Sequence, residues 1–175
     1  MPTPISGLRI ARSVVTPGGA EVVTRELDFQ LSIQGGVEIF SVLGNVARLN
    51  LTEATDTAYN AATQTLHLET GSLETVAQAA AEDEDTDDSE IFYRQDVTTM
   101  IQEEAGTRGG SLSSVSVTPN GLVIFNPSIF SARNLTHRGE GHDAAFAAVT
   151  FVVTIYYRFV KFSLSELGLF LARRS

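Results

Sequence analysis

"AAFAAVTFVVTIYYRFVKF", residues 144–162, is the most apolar stretch of this 175-residue chain, and its period decides the fold. Ala144 to Tyr157 are uncharged, but Arg158 and Lys161 then interrupt the run. Fourteen residues fall short of the roughly 20 that a helix needs to cross a bilayer. From Phe146 to Phe162 seven residues are β-branched and six are aromatic, a composition that suits a pleated, half-buried surface. Read by twos, one face is Ala147, Val149, Phe151, Val153, Ile155, Tyr157 and Phe159, and it belongs in a core. The other face, with Thr150, Thr154, Tyr156 and Arg158, is mixed enough for solvent or a partner. The stretch therefore predicts a strand. At about 3.3 Å per residue it would reach roughly 55 Å, so a bend or bulge is expected near the alanines.

The residues that follow predict a helix over 164–173. Ser163 and Glu166 form a capping box, Phe162 and Leu167 occupy the staple positions, and Leu164, Leu167, Phe170 and Leu171 share one helical face. Upstream the β signal dominates. "ELDFQLSIQ" alternates with Leu27, Phe29, Leu31 and Ile33 inward, and Gly35-Gly36 turns the chain into "VEIFSVL". Further strands are expected at 47–51 and around Leu66 and Leu68. "SLSSVSVTPNGLVIFNP" reads as a hairpin turning at Pro119-Asn120-Gly121, and short helices fit 73–81 and 97–105. Residues 1–22 carry three prolines and three glycines without sustained periodicity. They read as an N-terminal arm whose Ile5, Leu8 and Ile10 are buried on a neighbour. The expectation is a mainly β protein: the arm, then residues 23–175 as a single β-sandwich or jelly roll with a short C-terminal helix.

The formal charge of −9 is unevenly spread. Ten acidic residues and one basic one lie between Glu82 and Glu104, and the rest of the chain is neutral. Residues 82–90, "EDEDTDDSE", predict a solvated acidic loop. Asp83, Asp85 and Asp87 alternate as in an EF-hand, but Asp88 and Arg94 stand where that loop needs Gly and Glu. The positive charges are eleven Arg and one Lys, with no basic face and no interleaved aromatics, which argues against nucleic-acid contact.

Catalytic signatures are missing. With no Cys there is no thiolate metal site and no thiol nucleophile. The chain has no nucleophile elbow, P-loop or H-E-x-x-H. In "HRGEGHD", His137, Glu140, His142 and Asp143 are the candidate metal ligands, but a polar loop with two glycines explains the same residues without a metal. The expectation is a non-enzymatic protein with no cofactor. The opening "MPTPISGLRIARS" lacks an apolar h-region, so export through a signal peptide is not expected.

Three features taken together resemble the small single-jelly-roll capsid proteins of viruses. They are the segment "MPTPISGLRIARSVVTPGG", the strand series from "ELDFQLSIQ" onward, and the last strand with its helix, "FVVTIYYRFVKFSLSELGLFLARR". The resemblance is architectural, spans most of the chain and carries over no functional residue. It implies a virion structural subunit that self-assembles into a homo-oligomer and is built into particles in the host cytoplasm. The partners implied are further copies and other virion proteins. The interface would use Ile5, Leu8, Ile10, Thr150, Thr154, Tyr156 and Arg158. Capsid proteins that package bare nucleic acid neutralise phosphate with basic arms, whereas this segment has two Arg residues. The resemblance is thus to shells of tailless double-stranded-DNA viruses that enclose an internal membrane, or to a minor or tail-associated component, without direct genome contact. A β-sandwich module binding a small ligand or carbohydrate, or a phage tail or baseplate component, is the alternative.

Overall fold

The computed structural model describes residues 1–18, 21–51, 58–68, 91–102, 111–118, 121–141 and 146–172. The chain contributes strands β1 (Thr3–Pro4), β2 (Arg9–Val15), β3 (Val22–Leu27), β4 (Gly35–Leu51) and β5 (Ala58–His67). It continues with β6 (Ile91–Gln102), β7 (Ser111–Thr118), β8 (Gly121–Ser131), β9 (Leu135–Gly141), β10 (Phe146–Lys161) and the helix α1 (Leu164–Ala172). One sheet has the order β2-β10-β4-β8, with β1 continuing the β2 edge along the end of β10. The other has the order β3-β9-β5-β6-β7. Every pairing is antiparallel. Because the chain changes sheet at each step from β2 to β5 and from β7 to β10, early strands pair with late ones. This is the order of a jelly roll, with β7 added at one edge. No helix among the described residues is long and apolar enough to cross a membrane.

The opening stretch is strand β10, and its period holds. Val149, Phe151, Val153, Ile155 and Tyr157 are buried, while Thr150, Thr154, Tyr156 and Arg158 are half-buried on the opposite face. Val152 breaks the pattern and is buried on the outer side. The anticipated irregularity at the alanines is present: the register against β4 shifts between Phe146 and Ala148, and again between Thr150 and Phe151. A third shift, at Tyr156/Tyr157, sets Phe40 of β4 as the extra residue. Bulges of this kind let so long a strand coil with its sheet.

Residues 1–17 are not a free arm. Arg9 to Val15 pair with Tyr157 to Phe151, Thr3 and Pro4 pair with Lys161 and Val160, and the Ile5 and Val149 amides bond to Phe159 and Pro17 carbonyls. Ser13, Val15 and Pro17 are buried. An edge strand needs hydrogen bonds on one side only, so its prolines are tolerated. The alternation Ala11, Ser13, Val15 is real but too small in side-chain volume to stand out.

Other expectations change in similar ways. The segments 111–118 and 121–131 are both strands, but they are not a hairpin: β7 pairs with β6 and β8 pairs with β4, in different sheets. Residues 97–102 belong to β6 and not to a helix. The run from Glu26 ends as a strand at Leu27; Phe29 is buried, Gln30 takes a positive φ of 52°, and Ile33 is exposed. "HRGEG" is the end of β9, inside the second sheet, and not a loop. The acidic segment 82–90 and the helix expected at 73–81 lie outside the described residues.

Helix α1 begins at its capping box. The Glu166 amide donates to Ser163 Oγ at 3.3 Å, and the Ser163 amide donates to Glu166 Oε2 at 2.9 Å. Phe162 is buried against Phe130, whereas Leu164 and Leu169 are exposed, so Leu164 does not join a buried face. Ser163→Ala should therefore lower amide-exchange protection across 164–172 by about fivefold, the loss typical of an N-cap, and leave the melting temperature of the sandwich unchanged.

Candidate functional site

The two sheets present different outer faces. On the second, polar side chains pair with one another: Thr63 Oγ1 donates to Asp96 at 2.9 Å, and Arg94 Nε to the same carboxylate at 2.9 Å. Arg138 meets Glu140 at 3.2 Å, and Thr65 Oγ1 lies 2.8 Å from His67 Nε2. That is a polar face, with Thr63, Thr65 and Thr136 buried in it.

The first sheet is mixed outside, with several exposed apolar side chains. The strand registers set Ile10, Tyr156, Ser41 and Ile124 in one row across all four strands. The next row is Arg12, Thr154, Leu43 and Leu122. Ile10, Leu122 and Ile124 are 63%, 54% and 70% exposed, well above what water favours for side chains of that size in one patch. Ile5 and Leu8 are also exposed, beside the same edge. Of the expected interface residues, Ile10, Thr154 and Tyr156 fall within these rows. Thr150 lies further along β10, with its hydroxyl 3.2 Å from that of Thr16. Arg158 is committed elsewhere: its Nε donates to Glu38 Oε2 at 2.6 Å, and its guanidinium stacks over Phe40. Ser128 Oγ donates to the other Glu38 oxygen at 2.7 Å. The guanidinium is thus held by a nearly buried carboxylate while its own side chain stays 34% exposed on the outer face.

The interior holds a second cluster that the sequence reading missed. Two apolar clusters fill the sandwich, one around Ile39, Leu66, Leu135 and Ile155, the other around Val15, Ala62, Val97 and Phe151. Between them five strands give an inward position to something other than hydrocarbon. Ser13 lies between Ala11 and Val15, Gln64 between Ala62 and Leu66, and Gln95 between Tyr93 and Val97. Gly44 lies between Val42 and Val46, and a side chain there would overlap the Tyr93 hydroxyl. His137 completes the layer from β9.

The bonds run in one direction. Gln64 Oε1 can only accept, so His137 Nε2 donates to it, at 3.0 Å. His137 Nδ1 is then the acceptor for the Ser13 hydroxyl, also at 3.0 Å, and the Gln64 amide donates to Gln95 Oε1. Burial, with the Arg25 charge adding to it, lowers the His137 pKa from 6.5 to about 3. A serine on an imidazole has the outline of a nucleophile with its base. However, an imidazole this weakly basic takes no proton at neutral pH, its other partner is an amide, and both side chains are sealed from solvent. The cluster is a structural network.

His137 and Glu140 are not brought together. His137 points into the sandwich and Glu140 pairs with Arg138 on the outer face; His142 and Asp143 lie outside the described residues. Among the described residues no three His, Asp or Glu side chains stand close enough to hold a metal ion. The signal that could have found the buried layer was a polar residue at an inward position on several strands, as in Ala62-x-Gln64-x-Leu66.

Compared with known proteins, the chain matches no family model and no curated relative.

Proposed function

We propose that this chain is a non-enzymatic structural subunit of a viral particle, assembling with copies of itself and with other virion proteins through the outer face of the β2-β10-β4-β8 sheet. The observation that carries the reading is a patch on the outer face of the first sheet, where Ile10, Leu122 and Ile124 stand exposed in two neighbouring rows beside Tyr156 and Leu43. The jelly-roll order adds to it, since shells are among the uses of that fold, although fold alone assigns no function. The acidic charge of the chain fits a subunit that does not touch nucleic acid.

Light scattering after size exclusion, with electron microscopy of the concentrated protein, tests the reading. Wild type should form closed oligomers or shells as concentration rises. Tyr156→Asp combined with Ile124→Asp should give monomers, because a desolvated unpaired charge penalises the interface, while unfolding free energy stays within about 1 kcal/mol of wild type. A wild-type protein that remains a monomer at high concentration counts against assembly. A small ring would favour the tail or baseplate alternative over a shell.

A further inference from the structure

Beside the assembly face, the open side of the sandwich forms a cleft of about 450 Å³ between edge strands β2 and β3. Phe29, Tyr157 and Phe159 line it, with ring centroids of Phe29 and Tyr157 4.9 Å apart and those of Tyr157 and Phe159 5.5 Å apart. Arg9 stacks over Phe159 at 5.1 Å. Charged residues of both signs also line the cleft, but strand alternation separates them. Arg25 lies on the inward side of β3, between Val23 and Leu27, which pack on the two apolar clusters. Glu26 and Asp28 lie on the other side, where the Asn134 amide donates to both, at 2.7 and 3.1 Å, and the Gln30 amide donates to Asp28 at 2.8 Å. Arg25 forms no ion pair among the described residues.

We propose that this cleft binds a small organic anion, a carboxylate on a flat apolar body, with the carboxylate on Arg25 and the body against Phe29, Tyr157 and Phe159. The volume falls within the roughly 300 to 1,000 Å³ of small-molecule sites, and the lining sets three aromatic rings beside a larger polar part that includes Arg12 as well as Arg25. Arginine offers a fork of donors that matches a carboxylate, and here the competing acids are already held by Asn134. The other use of an inward charge on an edge strand is to discourage pairing with a second sheet. The two roles make different predictions.

Calorimetric titration with 2-naphthoate tests the site, with the neutral 2-naphthamide and inorganic phosphate as comparisons. Naphthoate should bind with a dissociation constant below about 1 mM, and the amide and phosphate each at least tenfold more weakly. Arg25→Gln should cost naphthoate about tenfold with an unchanged melting temperature, and Phe159→Ala should weaken it as well. Equal binding of amide and acid, indifference to Arg25→Gln, or no binding of naphthoate at 1 mM overturns the proposal. So does an Arg25→Gln protein that aggregates while binding naphthoate normally, which is the edge-protection outcome. Arg25 lies outside the apolar rows of the first sheet, so failure here leaves the assembly reading standing.

Discussion

Ile155→Asp should leave no cooperative unfolding transition. Ile155 is fully buried, paired in register with Ala11 and Val42, in the apolar cluster that also holds Ile39, Leu66 and Leu135. An aspartate there must either bury an unpaired carboxylate or take up a proton, and either course costs several kcal/mol, comparable with the whole stability of a domain this size. Thr154→Asp, one residue away on the outer face, should unfold within about 1 kcal/mol of wild type. Circular dichroism against urea measures both. Val153→Asp is expected to be milder than Ile155→Asp, because Val153 is paired in register with Ser13 and Gly44, at the level of the buried polar layer. If Ile155→Asp unfolds like wild type, β10 does not face the core as described, and the face proposed for assembly on its other side goes with it.

Acid should destabilise the protein well above the pH at which its carboxylates are protonated. His137 has a folded pKa of about 3, lowered first by burial and then by Arg25, against 6.5 in the unfolded chain. Above pH 6.5 neither state holds the proton, and stability is full. Between 6.5 and 3 the unfolded chain takes up a proton that the folded protein refuses, so stability falls as pH falls. The slope approaches about 1.4 kcal/mol per pH unit, and the total is on the order of 4–5 kcal/mol by pH 3. Urea midpoints at pH 7.0 and pH 4.5 measure the effect. His137→Gln, which keeps a donor and an acceptor but cannot titrate, should show a clearly smaller drop than wild type across this range. Equal drops would mean that the imidazole is protonated inside the fold, against the burial and the Arg25 charge that disfavour it there.

What could be read from the sequence followed side-chain volume. In β10 bulky apolar residues occupy successive inward positions, so period two was plain, and Thr154 and Tyr156 were placed on the outer face from that alone. In β9 the inward positions are Leu135, His137, Gly139 and Gly141, and in β2 they are Ala11, Ser13 and Val15; both strands vanish into what looks like loop or arm. The β7–β8 error has another cause. Two strands around a Pro-Asn-Gly turn look alike whether they pair with each other or part to opposite sheets, because their partners, β6 and β4, are set by distant sequence. The partner of Arg158 is hidden for the same reason: Glu38, which holds it, lies 120 residues earlier. The buried layer escaped because each of its members, taken singly, resembles a surface residue.

That layer also answers a question about uniqueness that hydrocarbon cannot. A strand shifted by one residue turns its apolar side outward, but a shift by two restores the same faces and, in a sandwich of Val, Leu and Ile, meets little objection. Here such a shift would bring Gln64 to a level occupied by Leu66 or Ala62 and leave Gln95 and His137 facing methyl groups. Each orphaned group would cost roughly 1–3 kcal/mol. Ser13, Gln64, Gln95 and His137 thus act as the tumblers of a lock, each on a different strand, and the chain opens into its sandwich only when all four meet.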